Sequence, residues 1–144
     1  MNVKKKRVLF LCTGNSCRSQ MAEGLARYLA GEKWEVYSAG LEPQGVNAMA
    51  VEVMSERGID ISQQSSEVLD LQLMREMDLV ITLCGDAAER CPFPPPGVRS
   101  FHWPLSDPAE VSGTAEEVRA AFRNVRDAIE EKISKLLASC YENE

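Results

Sequence analysis

Val8-Leu9-Phe10-Leu11-Cys12-Thr13-Gly14-Asn15-Ser16-Cys17-Arg18-Ser19 is the stretch that decides the reading of this chain. Its first four residues form a short apolar run without polar alternation, as a strand buried on both faces requires. Residues 17–29 follow with Met21, Leu25, Tyr28 and Leu29 at helical spacing, and Gly31 marks a stop. A loop of the form C-x5-R-S therefore joins a buried strand to a helix.

That loop has the residue types an oxyanion site needs. A tight strand-to-helix turn aims successive backbone N–H groups into one concavity, and the helix adds its positive end. Gly14 and Asn15 tolerate unusual backbone angles. Arg18 can give an oxyanion two parallel charge-assisted hydrogen bonds. The same field favours negative sulfur, so Cys12 is expected to be a thiolate nucleophile, with Ser19 donating to it. Thr13, Gly14, Asn15, Ser16, Cys17, Arg18 and Ser19 are the expected anion-binding residues.

Further β-rich runs lie at 35–39, 79–83 and 98–103. Helical spacing recurs at 47–57, where Ala50, Val53 and Met54 share a face, and at 65–74, with Ser66 as the expected cap. Residues 114–138 place Val118, Phe122, Val125, Ile129, Ile133 and Leu136 on one face of a long amphipathic helix. Residues 91–97 hold four prolines and exclude regular structure. Strands alternating with helices predict a mostly parallel sheet with helices on both faces. At 144 residues, without repeats or a linker, the expectation is a single α/β domain over 1–144.

A net charge of −6 and a pI near 4.9 argue against sequence-independent binding to nucleic acid or an anionic membrane. Lys4-Lys5-Lys6-Arg7 reads as a solvated strand entry. The apolar run after it is too short for a signal peptide, and no stretch approaches a membrane span. The expected location is the cytoplasm.

The five cysteines, Cys12, Cys17, Cys84, Cys91 and Cys140, are an odd set that does not suit a secreted disulfide framework. Cys84 closes the third apolar run and Cys91 follows seven residues later. These two fit inert core thiols, zinc ligands together with Cys12 and Cys17, or a thiol relay beside a nucleophilic cysteine. Asp107, held extended by Pro108, is expected at another strand end, where a carboxylic acid can protonate a departing oxygen.

Cys12–Gly24 (C-T-G-N-S-C-R-S-Q-M-A-E-G), V-Y-S-A-G at 36–40, D-L-V-I-T-L-C at 78–84, Cys91 followed by proline, and Asp107-Pro108 together resemble the thioredoxin-coupled arsenate reductases over nearly the whole chain. These enzymes share a fold with the low-molecular-weight tyrosine phosphatases. The resemblance implies a three-layer sandwich with a four-stranded parallel sheet flanked by helices. It implies that Cys12 attacks arsenate, Arg18 neutralises its charge and Asp107 protonates the leaving hydroxyl. Cys84 would then attack Cys12, and Cys91 would attack Cys84. The Cys84–Cys91 disulfide would be reduced by thioredoxin, with no organic cofactor. Asn15, Glu23, Ser38, Ser65 and Glu67 match residues that bind a potassium ion in some members, with Ser65 and Glu67 departing modestly from the pattern; the same residues equally suit a polar hydrogen-bond network supporting the loop.

Cys17 is expected to contribute only its backbone N–H, and Cys140 to be a dispensable exposed thiol. Cys84 cannot bond both Cys12 and Cys91 without movement, so residues 85–91 are expected to be the most mobile part of the site. A phosphatase would use Cys12, Arg18 and Asp107, but Ala109-Glu110-Val111 offers no aromatic after the acid and the thiol pair would be idle. A relative using a small-molecule thiol, or a non-catalytic anion sensor or phosphocarrier, would need neither resolving thiol. The chain is expected to be a monomer, since the thiol pair must reach a partner.

Overall fold

The computed structural model of the chain describes residues 5–85 and 94–139. Four strands, β1 (Lys6–Cys12), β2 (Trp34–Gly40), β3 (Leu79–Cys84) and β4 (Ser100–Leu105), form one parallel sheet in the order β2-β1-β3-β4. The helices are α1 (Arg18–Ala30), α2 (Ala48–Ser55), α3 (Leu71–Arg75) and α4 (Ala115–Ala138). This is the expected three-layer α/β architecture.

The central strands show why apolar runs replace alternation. Val8, Phe10 and Cys12 of β1 join a core shared with α1, α2 and α4, while Leu9 and Leu11 join a second core with Met74, Met77 and Val80. Side chains alternate between faces along a strand, so helices on both faces demand apolar residues at every position. α4 starts at a capping box, in which Thr114 accepts from the Glu117 N–H and Glu117 accepts from the Thr114 N–H. Arg126 of α4 is buried and fastens α2 by donating to Val53 O at 2.8 Å and Glu56 at 2.8 Å.

Three expectations shift. β4 runs to Leu105 rather than 103, because an edge strand tolerates Pro104. The helix expected over 65–74 is only the turn Leu71–Arg75, capped by Asp70 rather than Ser66. Residues 65–68 instead run beside the loop after β1, and Val68 forms a parallel bridge with Gly40. Tyr28 is 68% exposed, so it leaves the apolar face of α1 to Met21 and Leu25. No described helix is long and apolar enough to cross a membrane.

Candidate active site

β1 ends in Cys12 and α1 begins at Arg18, so the loop lies at the carboxyl edge of the sheet as expected. Its carbonyls are engaged from outside. Thr13 O accepts from Glu42 N at 3.0 Å, Gly14 O from Gln44 N at 3.0 Å and Ser16 O from Asn47 N at 3.1 Å. Asn15 O accepts from Gln20 Nε2 at 3.0 Å and Ser66 Oγ at 2.8 Å. In a trans peptide C=O and N–H point opposite ways. Carbonyls turned outward at 13–16 therefore turn the N–H groups of Gly14, Asn15, Ser16 and Cys17 inward, which is the geometry of an anion cradle.

Asn15 has φ +45°, a positive value no other described non-glycine residue shows. Asn adopts this region more readily than most side chains. Gly14 is not in that region, contrary to expectation. A Cβ there would lie 3.2 Å from the exposed Gln44 side chain, which would have to give by a few tenths of an ångström.

The Asn15 carboxamide organises the polar groups behind the loop. Its Oδ1 accepts from Glu67 N at 2.7 Å, and its Nδ2 donates to Ser19 Oγ at 2.7 Å and Ser38 Oγ at 3.0 Å. Each serine oxygen, having accepted, directs its own hydrogen elsewhere. Ser38 donates to Glu23 Oε1 at 2.6 Å, and Ser19 Oγ lies 2.9 Å from Cys12 Sγ. Ser19 is thus placed to donate to the sulfur when Cys12 acts as a nucleophile.

Arg18 is buried and donates from Nη1 to Leu105 O at 2.9 Å, with Nη2 3.7 Å from Asp107 Oδ2. Asp107 follows β4 and caps the short turn Pro108–Glu110 by accepting from Ala109 N at 3.0 Å. Its backbone is extended, as a following proline imposes. Cys17 is buried beside Cys12, and burial first, then the charge of Asp107, push its thiol up to about 12. It is neutral near pH 7.

Cys84 is buried at the end of β3, adjacent to β1. The register that pairs Leu11 with Thr82 sets the ends bearing Cys12 and Cys84 side by side. Cys12, Cys17 and Cys84 are free thiols. Cys91 and Cys140 lie outside the described residues, as does the stretch after Gly85 for which mobility was expected. Among the described residues no group of three His, Cys, Asp or Glu side chains is disposed to hold a metal ion.

Glu23, Ser38, Ser65 and Glu67 line one cleft of about 480 Å³, with Asn15 behind it. Arg27 lines the same cleft, its Nη2 2.6 Å from Glu23 Oε2 and 3.0 Å from Val36 O. Burial raises the Glu23 carboxyl above its ordinary range, opposed by Ser38 and Arg27. Of the residues expected to share a site, Glu23, Ser38, Ser65 and Glu67 line this cleft, together with Arg27, Tyr37, Val68, Asp70 and Leu73, which were not expected there.

Other contributors were not singled out. Gly40, at the end of β2, has no room for a side chain, because a Cβ would meet Thr13 O at 2.7 Å and Asn15 N at 2.8 Å. Gln20 and Ser66 hold Asn15 O from two sides. Their signal was the run R-S-Q at 18–20, and S-A-G closing a strand at 38–40.

The phosphotyrosine phosphatase model of low molecular weight enzymes matches residues 7–144. An arsenate reductase of Bacillus licheniformis is 55% identical over 133 residues, covering 92% of this chain and 96% of that protein. A solved arsenate reductase in its phosphate-binding state is 40% identical, with a TM-score of 0.78 over 92% of this chain and 97% of that one. A thioredoxin-dependent arsenate reductase of Corynebacterium glutamicum is 31% identical, with a TM-score of 0.76 over all of this chain and 66% of that one. The chain belongs to the low molecular weight phosphotyrosine protein phosphatase family, whose arsenate reductase members are the relatives it matches at about half identity.

Proposed function

We propose that this chain reduces arsenate to arsenite with electrons from thioredoxin. The observation that carries the reading is the adjacency of a buried Cys84 to Cys12 at the mouth of an anion cradle. A phosphatase needs the cradle but not the second thiol.

Arsenate enters the loop, and the inward N–H groups with Arg18 spread its charge. The Cys12 thiolate attacks arsenic, an As–S bond forms, and an As–O bond breaks as a hydroxyl of the arsenate takes a proton from the Asp107 carboxylic acid and leaves as water. The Cys84 thiolate then attacks Cys12 Sγ. The S–S bond forms as the As–S bond breaks, and its electron pair remains on arsenic, which departs as arsenite. Two electrons have passed from two thiols to arsenic. Cys91 attacks Cys84, Cys12 is released as thiolate, and thioredoxin reduces the Cys84–Cys91 disulfide by a further exchange.

The residues expected to hold a potassium ion form a hydrogen-bond network behind the loop. Asn15 Oδ1, Ser38 Oγ and Glu23 Oε1 are occupied by one another or by Glu67 N, and Ser65 is bonded to Glu67. The positive charge beside Glu23 is already present as Arg27. Arsenate and thioredoxin are thus the proposed partners.

The test is NADPH oxidation coupled through thioredoxin and thioredoxin reductase, with and without arsenate, for the wild type and Cys84→Ser. Arsenate-dependent turnover in the wild type, lost in the variant, is the expected result. Absent turnover alongside good hydrolysis of a phenyl phosphate refutes the reading.

A further inference from the structure

Gly85 immediately follows Cys84 and closes on the neighbouring strand end more tightly than any side chain permits. A Cβ at Gly85 would stand 2.4 Å from Leu105 C, 2.4 Å from Leu105 O and 2.7 Å from Leu105 N. Real Cβ atoms do not approach backbone so closely, and the obstacle is a peptide rather than a pliable side chain. The close approach coincides with a break in the ladder, where the register shifts between Thr82 and Cys84 so that Cys84 pairs with Leu105. Bulges of this kind re-aim groups at strand ends.

The peptide that Gly85 touches is the one that aims the anion clamp. Leu105 O accepts from Arg18 Nη1 at 2.9 Å, and Asp107, two residues on, lies 3.7 Å from Arg18 Nη2. Arg18 is buried, so its planar fork has little freedom beyond what these partners allow. Leu105 thus lies between Gly85 on one side and the guanidinium on the other.

We infer that Gly85 is a positioning residue for oxyanion binding: its missing side chain lets the end of β3 seat the Leu105 carbonyl that orients Arg18. The sequence suggested a different use for this glycine, freedom of movement for the thiol beside it. Close packing gives it a second task, and one consequence is that the relay thiol and the anion clamp share a single backbone contact. The inference rests on the loop being an oxyanion site, not on the arsenate chemistry.

The experiment is titration of inorganic phosphate into the reduced full-length chain, for wild type, Gly85→Ala, Arg18→Lys and the double variant. Gly85→Ala is expected to weaken phosphate about tenfold, the scale of one misdirected charge-assisted hydrogen bond. In the Arg18→Lys background the same change is expected to alter affinity less than about twofold, because groups acting through one contact are not additive. If Gly85→Ala is too unstable to titrate, the phosphate dependence of its urea midpoint gives the same constant through ligand linkage. An unchanged affinity, or an equal loss in both backgrounds, overturns the inference. Absence of phosphate binding by the wild type overturns it together with its premise, whatever the reductase assay finds.

Discussion

Replacing Asn15 tests whether the site is built by one carboxamide. Asn15→Ala removes three hydrogen bonds of 2.7, 2.7 and 3.0 Å in a fully buried position. Glu67 N would be left without its acceptor, at about 1–3 kcal/mol, and each serine oxygen loses an accepted bond worth about 1 kcal/mol. The total is about 3–5 kcal/mol, a large part of the roughly 5–15 kcal/mol that stabilises a domain. Asn15→Gly loses the same bonds but relieves the φ of +45°. It should be the more stable variant by about 0.5–1 kcal/mol, the reverse of the usual ranking of Ala over Gly. The assay is urea unfolding under reducing conditions, in buffer without phosphate or sulfate, since a bound anion would mask the loss. A loss below about 1 kcal/mol in both variants would show that the network is not cooperative. Alanine outlasting glycine would refute the backbone argument.

Gly40→Ala should weaken phosphate binding and lower the urea midpoint together, because its Cβ would press on Thr13 O and Asn15 N; calorimetric titration with unfolding checks both. Cys17→Ser should keep arsenate turnover within about twofold, since only the backbone N–H is used, and mass spectrometry after brief alkylation near neutral pH should find Cys17 unmodified, its thiol being pushed up to about 12. Glu56 is held down to about 2 by hydrogen bonds from Arg123 and Arg126, so its stabilising contribution is present above the ordinary carboxylate value, 4.5, and is lost as pH falls from there toward 2. Unfolding of Glu56→Gln against wild type should converge over that window, and high salt should shrink the difference at neutral pH. The melting temperature should be the same in potassium chloride and in choline chloride of equal ionic strength, because Arg27 already holds Glu23.

The fold was legible wherever burial alone dictated residue type. β1 and β3 are covered on both faces, so their apolar runs stood out, and the apolar face repeating through residues 114–138 announced α4. Legibility failed where a residue answers to a distant partner. Ser66 reads as a helix cap, yet its hydroxyl serves a carbonyl 51 positions earlier. Leu69 and Leu73 are spaced as on a helix, but both pack in the second core while Val68 pairs with Gly40. The nucleophile and its arginine were visible because seven consecutive positions, 12–18, encode them. Arg27 was not, because its role depends on Glu23 one turn earlier facing a cleft that no local pattern reveals. Pro104 hid the end of β4 for a similar reason, since only sheet order shows that strand to be an edge.

The outward hydrogen bonds of the loop carry a consequence for how the molecule comes into being. Apart from the one from Gln20, they come from residues 42, 44, 47 and 66, well downstream of the carbonyls they hold. A chain emerging from the ribosome, or one partly unravelled, has none of them in place. Its loop carbonyls are then solvated by water, and its N–H groups are not turned into one concavity. Oxyanion binding is therefore a property that only the finished fold has.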